Sequence, residues 1–182
     1  MVPKDDLTLA ILAGGAGARL GGVDKGSLRC EGRTLLERLR ALSTLAKETL
    51  ELRAQDDVVK GRGAPGGLVS ALCRATTPWV LAVCCDMPHV RREAVEALCA
   101  AGAADIAAFD AGGFVQPFPG LYRAALGPAW RVLLEKGEPS MRALLASARV
   151  SRLDLQPLDP TGRTVQSVNT AEDARALGVE LP

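Results

Sequence analysis

The stretch from Leu7 to Lys25 constrains this chain more than any other. Leu7-Thr8-Leu9-Ala10-Ile11-Leu12-Ala13 is a nearly continuous apolar run. It breaks into Gly14-Gly15-Ala16-Gly17-Ala18-Arg19-Leu20-Gly21-Gly22-Val23-Asp24-Lys25. An apolar run of this length reads as a strand buried on both faces, the environment of a parallel sheet covered by helices. Ligands in such sheets bind at the carboxyl ends of the strands. Glycines there let backbone N–H groups approach a ligand and cup an anion. Arg19 adds a planar fork for phosphate and Lys25 a mobile point charge. Two common phosphate motifs are excluded: no Gly-Lys-Ser/Thr closes the loop, and Leu20 stands where G-x-G-x-x-G needs its last glycine. The competing reading is a flexible turn with solvated cations, but a turn alone does not require so many glycines.

Beyond the loop, apolar runs alternate with helical patterns, the mark of an α/β fold. The spacing predicts helices over Thr34–Lys47, Leu68–Arg74, Arg91–Ala101, Ala124–Lys136 and Ser140–Ala148, and a last one capped by Thr170 and running to Leu177. It predicts strands at Thr49–Arg53, Trp79–Cys84, Ile106–Phe109, Phe114–Tyr122, Val150–Leu155 and Val165–Val168. Pro117 and Pro119 argue that Phe114–Tyr122 is an edge strand. At 182 residues the chain fits a single domain, with its nucleotide-type motifs in residues 1–90 and the remainder in 91–182.

Composition narrows the partners. Lys plus Arg total 22 against 21 Asp plus Glu, so no global field is available to hold nucleic acid or an anionic membrane. Aromatics at 3% leave little for base stacking. No apolar run reaches membrane-spanning length, and Asp5 and Asp6 stand where a signal peptide wants basic residues, so a cytoplasmic location is expected. The five cysteines, an odd number without C-x-x-C spacing, read as small buried hydrophobes.

A second chemical signal follows the strand Trp79–Cys84. Asp86 there is well placed for a Mg²⁺ that also binds phosphate oxygens, since magnesium takes one or two carboxylates and leaves the rest to water and phosphate. Its rival role is capping the helix at Arg91. His89, the only histidine, has no Ser, Cys or carboxylate at motif spacing and reads as a loop residue. Arg91 and Arg92 either line an anion site or are solvated.

Leu12-Ala13-Gly14-Gly15, Arg19 and Gly21-Gly22-Val23-Asp24-Lys25-Gly26 together resemble the MobA-type molybdenum cofactor guanylyltransferases, whose motif reads L-A-G-G-x-x-x-R-[ML]-G-G-x-D-K. Gly32-Arg33-Thr34-Leu35-Leu36-Glu37-Arg38, Pro65-Gly66-Gly67-Leu68, Cys85-Asp86-Met87-Pro88 and Val168-Asn169-Thr170-Ala171-Glu172-Asp173 continue the match in order. The resemblance implies a three-layer Rossmann-like nucleotidyltransferase fold with a mostly parallel central sheet. It implies transfer of GMP from Mg-GTP to the terminal phosphate of molybdopterin, with release of pyrophosphate. It makes Arg19, Lys25 and Asp86 the catalytic set. GTP would be held by Leu12, Ala13, Gly14, Gly15, Arg19, Lys25, Asp57 and Asp86, with the metal on Asp86. The acceptor would meet Gln116 and Asn169, with Asn169 orienting either the acceptor or a metal-bound water. Other molybdenum cofactor proteins are implied as partners.

The chain also departs from that pattern. Leu50–Arg53 passes almost directly to Gln55-Asp56-Asp57, where relatives carry a longer, asparagine-bearing loop. Asp57 holds the family's spacing to Pro65, with Asp56 a near rival. Gln116-Pro117 replaces His-Pro, Ser167 replaces an asparagine and Ala171 a proline. These changes touch the acceptor side. The alternatives are a cytidylyltransferase on the same cofactor, a nucleotidyltransferase on a sugar or polyol phosphate, and a degenerate module that binds nucleotide without turnover.

Overall fold

The structure is a computed structural model describing residues 1–14, 16–17, 20, 22–102, 104–137 and 140–181. The first apolar run forms β1 (Leu7–Leu12), with every residue buried. Two short strands, β2 (Ala16–Gly17) and β3 (Val23–Asp24), pair antiparallel and bracket the glycine-rich loop. A second small pair follows, β4 (Arg29–Cys30) and β5 (Arg33–Thr34).

Thr34 then caps α1 (Leu35–Arg40): its hydroxyl accepts from the Glu37 N–H, and the Glu37 carboxylate accepts from the Thr34 N–H. The expected helix runs to Lys47, but the α-helical hydrogen bonding stops at Arg40 and Ala41–Leu45 continue as a 3-10 helix. Ser43 and Thr44 are weak helix formers, and Leu42 is buried from the tighter winding as well.

After β6 (Glu48–Leu52) comes α2 (Gly63–Arg74), five residues longer at its start than expected. Pro65 lies in its first turn, where a missing N–H removes no helical bond. Then come β7 (Trp79–Cys84), α3 (Arg92–Ala100), β8 (Ile106–Ala111) and β9 (Phe114–Arg123). The chain ends with α4 (Gly127–Glu135), α5 (Met141–Ala146), β10 (Val150–Asp154), α6 (Ala171–Ala176) and β11 (Val179–Glu180).

The main sheet has six strands in the order β10-β8-β9-β7-β1-β6. β1 runs parallel to β6 and β7, and β10 parallel to β8, while β9 runs against both its neighbours. Alternate residues of β1 feed two cores. Leu7, Leu9 and Ile11 pack with Leu39 of α1 and Val95 and Leu98 of α3. Ala10 and Leu12 pack with Leu68 of α2, Trp130 of α4 and Leu144 of α5. Helices therefore cover both faces, as the sequence implied. A third cluster joins α6 to the sheet β11-β4-β5, through Leu28, Leu35, Val168 and Leu177.

Two strand expectations change. β9 is interior, not an edge. Its prolines fit because the register against β8 jumps from Ala108↔Gly120 to Phe109↔Gln116, and pairing with β7 ends at Gly120. Pro117 and Pro119 thus occupy a bulge, where no ladder bond asks for their missing N–H. The expected strand Val165–Val168 does not form. Residues Arg163–Val165 make a 3-10 turn, and the Val168 N–H goes to the Asp86 carbonyl at 2.8 Å rather than to a ladder. No helix of the described residues is long and apolar enough to cross a membrane.

Candidate active site

The carboxyl ends of β1, β6 and β7 are bound together: the Ala13 N–H donates to the Leu52 carbonyl at 2.7 Å and the Cys85 N–H to the Leu12 carbonyl at 3.0 Å. The chain then returns through β3 to a 3-10 turn, Lys25–Ser27. The Asp24 side chain caps that turn by accepting from the Gly26 N–H at 3.0 Å, and the Ser27 hydroxyl donates to the Asp24 carbonyl. This local geometry turns Lys25 inward, where it is 7% exposed.

A buried ammonium is costly unless it is paired and hydrogen-bonded. Lys25 meets both conditions. Its Nζ donates to Asp86 Oδ2 at 2.9 Å and to Asn169 Oδ1 at 2.7 Å. The two partners lie 61 and 144 residues away in sequence. The other oxygen, Asp86 Oδ1, is buried and has no hydrogen-bond partner among the described residues. Asp86 does not cap α3: that helix starts at Arg92, with Arg91 in the capping position.

The segment carrying Asn169 is fastened from two sides. Val168 bonds to the Asp86 carbonyl as above. Asp173 Oδ2 accepts from the Asn169 N–H at 2.9 Å and from the Thr170 N–H at 2.8 Å. The Thr170 hydroxyl accepts from the Asp173 N–H, completing the capping box of α6. These bonds, the Asn169 N–H first, hold the Asp173 carboxyl below the usual aspartate range.

Beside Asp86 lies a cavity of about 330 Å³ whose lining includes Leu12, Gly14, Leu52, Asp57, Gly67 and Cys84. Asp57 is buried in its wall, and burial pushes its carboxyl above the usual range, with Lys60 acting in the opposite direction. Gly66 makes that placement possible: a Cβ there would stand 3.0 Å from Asp57 Oδ2 and 3.1 Å from the Val59 carbonyl. Gly14 works similarly, since its Cβ would come within 3.0 Å of the Ala54 amide nitrogen. Cys84 and Cys85 both line the cavity, Cys85 packing as well into the core on the other face of the sheet. Desolvation raises both thiols, that of Cys85 to about 12, so neither is a nucleophile at neutral pH.

Of the residues read from sequence, Lys25, Asp86 and Asn169 come into direct contact. Leu12, Gly14, Asp57 and Asp86 share the cavity, and the Ala13 N–H bonds to the carbonyl of Leu52, itself a lining residue. Gln116 lies apart on β9, where its amide donates to the Phe114 carbonyl at 3.3 Å. Gly15 and Arg19 lie outside the described residues. His89 is a loop residue whose Nε2 is 2.9 Å from the Leu177 carbonyl. Arg92 is spent at the surface on Thr44 and Glu96.

Sequence reasoning missed Asp173, though Thr170-x-x-Asp173 is a capping-box pattern that could have found it. It also missed the pairing of Arg53 with Asp24 at 3.4 Å, which ties the end of β6 to the segment just before Lys25.

Among the described residues, no group of three or more His, Cys, Asp or Glu side chains gathers as a metal nest. A single carboxylate with one buried, bare oxygen nonetheless fits a magnesium ion held mostly by phosphate and water. Taken together, the site offers a positive charge, a metal-type carboxylate and a carboxylate-walled cavity at the ends of parallel strands. That is the equipment for holding a nucleotide and neutralising its phosphates.

Residues 9–153 match the MobA-like NTP transferase domain family. A molybdenum cofactor guanylyltransferase of Vibrio vulnificus is 31% identical over 186 residues, spanning 92% of this chain and 93% of that protein. The crystal structure of molybdopterin-guanine dinucleotide biosynthesis protein A from Archaeoglobus fulgidus has a TM-score of 0.73 at 19% identity, over 94% of this chain and 96% of that one. A 2-C-methyl-D-erythritol 4-phosphate cytidylyltransferase from Thermus thermophilus has a TM-score of 0.66 at 18% identity, over 93% and 96% of the two chains. At those identities the two structures share the fold. The family match covers most of the chain and the Vibrio relative nearly all of it, so this protein belongs to the MobA-like NTP transferase family and is a nucleotidyltransferase.

Proposed function

We propose that this enzyme transfers GMP from GTP to the terminal phosphate of molybdopterin, releasing pyrophosphate. The observation that carries the reading is the convergence of Lys25, Asp86 and Asn169 beside a cavity walled by the buried Asp57. In the reaction, an oxygen of the acceptor's phosphate attacks the α-phosphorus of GTP. The new O–P bond forms as the bond to the β-phosphate oxygen breaks, and its electron pair leaves with pyrophosphate. The attacking oxygen is already anionic, so no strong general base is required. The absence of a His, Ser or Cys catalytic set among the described site residues is consistent with that demand.

What the step needs is positioning and charge neutralisation. Lys25 is held with its ammonium beside Asp86 and can neutralise charge on the leaving phosphates. Arg19 is proposed for the same task from the sequence motif. Asp86 would hold Mg²⁺ through its bare Oδ1, and the ion would supply further charge neutralisation on phosphate oxygens. Asp57 presents a carboxylate to the cavity, and guanine is the base whose adjacent imino and amino donors suit it. Leu12, Ala13, Gly14 and Gly15 would offer backbone groups to the nucleotide, and Gln116 and Asn169 would face the acceptor. Residues 1–90 then act as the nucleotide half and 91–182 as the acceptor half. The acceptor's own handling links the enzyme to other molybdenum cofactor proteins.

The test is calorimetry with GTP, CTP and ATP, each with and without Mg²⁺. The reading expects GTP to bind tightest and Mg²⁺ to tighten it. Equal binding of all three nucleotides would remove Asp57 as the base reader.

A further inference from the structure

We propose that Asn169 is a positioning residue for the metal site: it draws Lys25 onto one oxygen of Asp86 and so keeps the other bare. The inference rests on the reading of Asp86 as the metal carboxylate, and it gives Asn169 a task beyond contact with the acceptor. An ammonium has three donors and no acceptor, and beside a carboxylate it can lean over either oxygen. Here Lys25 Nζ lies 2.9 Å from Asp86 Oδ2 and 2.7 Å from Asn169 Oδ1, while Asp86 Oδ1 is buried and without a hydrogen-bond partner among the described residues.

The Asn169 carbonyl oxygen is therefore the second acceptor that fixes the ammonium to one side. Lys25 is too enclosed for bulk water to take that role. Without the amide, the ammonium would be free to move over Oδ1 and compete with a cation there.

Asn169 is itself held in place. Asp173 takes the N–H groups of Asn169 and Thr170, and the Val168 N–H ties the same segment to the Asp86 carbonyl. The carboxylate, the lysine and the asparagine thus form one unit, with Asp173 as its outer brace. Groups behind a metal ligand typically change metal affinity about 10–100-fold when removed.

The experiment measures the Mg²⁺ concentration that half-saturates tight GTP binding, by calorimetry and with no acceptor present. Asn169→Ala is expected to raise that concentration about tenfold, with a smaller change in GTP affinity in EDTA. Asp173→Ala should shift it in the same direction by less, and Asp173→Asn, which keeps an acceptor oxygen, should bring it back toward wild type. If Asn169→Ala does not fold, as judged by circular dichroism, the two Asp173 variants carry the test. An unchanged Mg²⁺ requirement, with only the Michaelis constant for molybdopterin raised, would make Asn169 an acceptor contact and overturn the proposal. Asp86→Asn separates the two failures. If it too leaves the Mg²⁺ requirement at the wild-type value, the metal assignment itself is wrong.

Discussion

The two halves of the central sheet are finished in opposite ways. At the ends of β1, β6 and β7, charged side chains are taken out of water, and the bonds around Lys25 join three separate segments of chain. Beyond β8, the β8–β9 hairpin and β10 carry surface chemistry. Gln116 is partly exposed, Phe114 is 75% exposed, and the Arg152–Asp110 pair is long at 3.4 Å. The cavity on that side, about 450 Å³, is lined chiefly by Phe114, Val115, Pro117, Met141, Leu145 and Val150, with Arg142 and Arg152 among them. Exposed ion pairs contribute little, typically 0–1 kcal/mol. Buried charges are expensive, so keeping Lys25 and Asp57 inside costs the fold stability. The difference indicates where substitutions should act on turnover and where they should act mainly on acceptor affinity or not at all.

The largest effect should come from Lys25→Ala. Turnover should fall about 10²–10³-fold, the usual worth of one preorganised charge-stabilising group, with circular dichroism unchanged. Pyrophosphate release measures it, and a wild-type rate would erase the contrast between the two halves. Asp86→Asn comes next. Mg²⁺-dependent GTP binding should weaken about 10–100-fold, and the thermal stabilisation by Mg-GTP should shrink with it.

Asp57→Asn sharpens the comparison because it separates function from stability. The preference for GTP over CTP should drop about 10–100-fold, the worth of one charge-assisted hydrogen bond. The free protein should melt at or above wild type at pH 7. Burial raises the Asp57 pKa in the fold, so ionised Asp57 costs stability above that pKa. The gap should close as pH falls through the raised pKa, where the wild-type carboxyl is neutral too. Melting curves from pH 4 to 8 test the sign.

Asp173 has the opposite sign. Its lowered pKa adds stability above the unfolded value, and that is lost as pH falls through the folded one. Asp173→Ala should therefore lower the melting temperature at pH 7, with the deficit vanishing in acid.

The smallest effect belongs to Gln116→Ala. GTP affinity should stay within about threefold of wild type, as for surface changes in general, and only the Michaelis constant for the acceptor should move.

Much of this was legible in the sequence, and the gaps have physical causes. β1, apolar but for Thr8, and β7, apolar throughout, are followed closely by glycine or aspartate, so pattern alone identifies them. Lys25 and Asp86 could be picked out because each follows such a strand. The Lys25–Asn169 contact could not be, since it closes 144 residues through the fold. β9 was misplaced at an edge because proline counts against an interior strand, while the bulge that hides Pro117 and Pro119 depends on pairing with β8. Val165–Val168 looked like a strand from its two valines, yet Val168 is apolar because it packs with Leu28 and Leu177. The start of α2 was missed because Gly66 and Gly67 oppose a helix by propensity, and the reason for Gly66 lies in the carboxylate of Asp57 across from it.

The most direct measurement supplies molybdopterin and Mg²⁺ with GTP, CTP or ATP in separate reactions and identifies the product by mass. The account predicts pyrophosphate release with GTP and a product heavier than molybdopterin by one guanylyl group, lost in Lys25→Ala. A cytidylyl product with CTP favoured would contradict the guanine assignment at Asp57, and no transfer from any nucleotide despite tight GTP binding would contradict the proposed reaction.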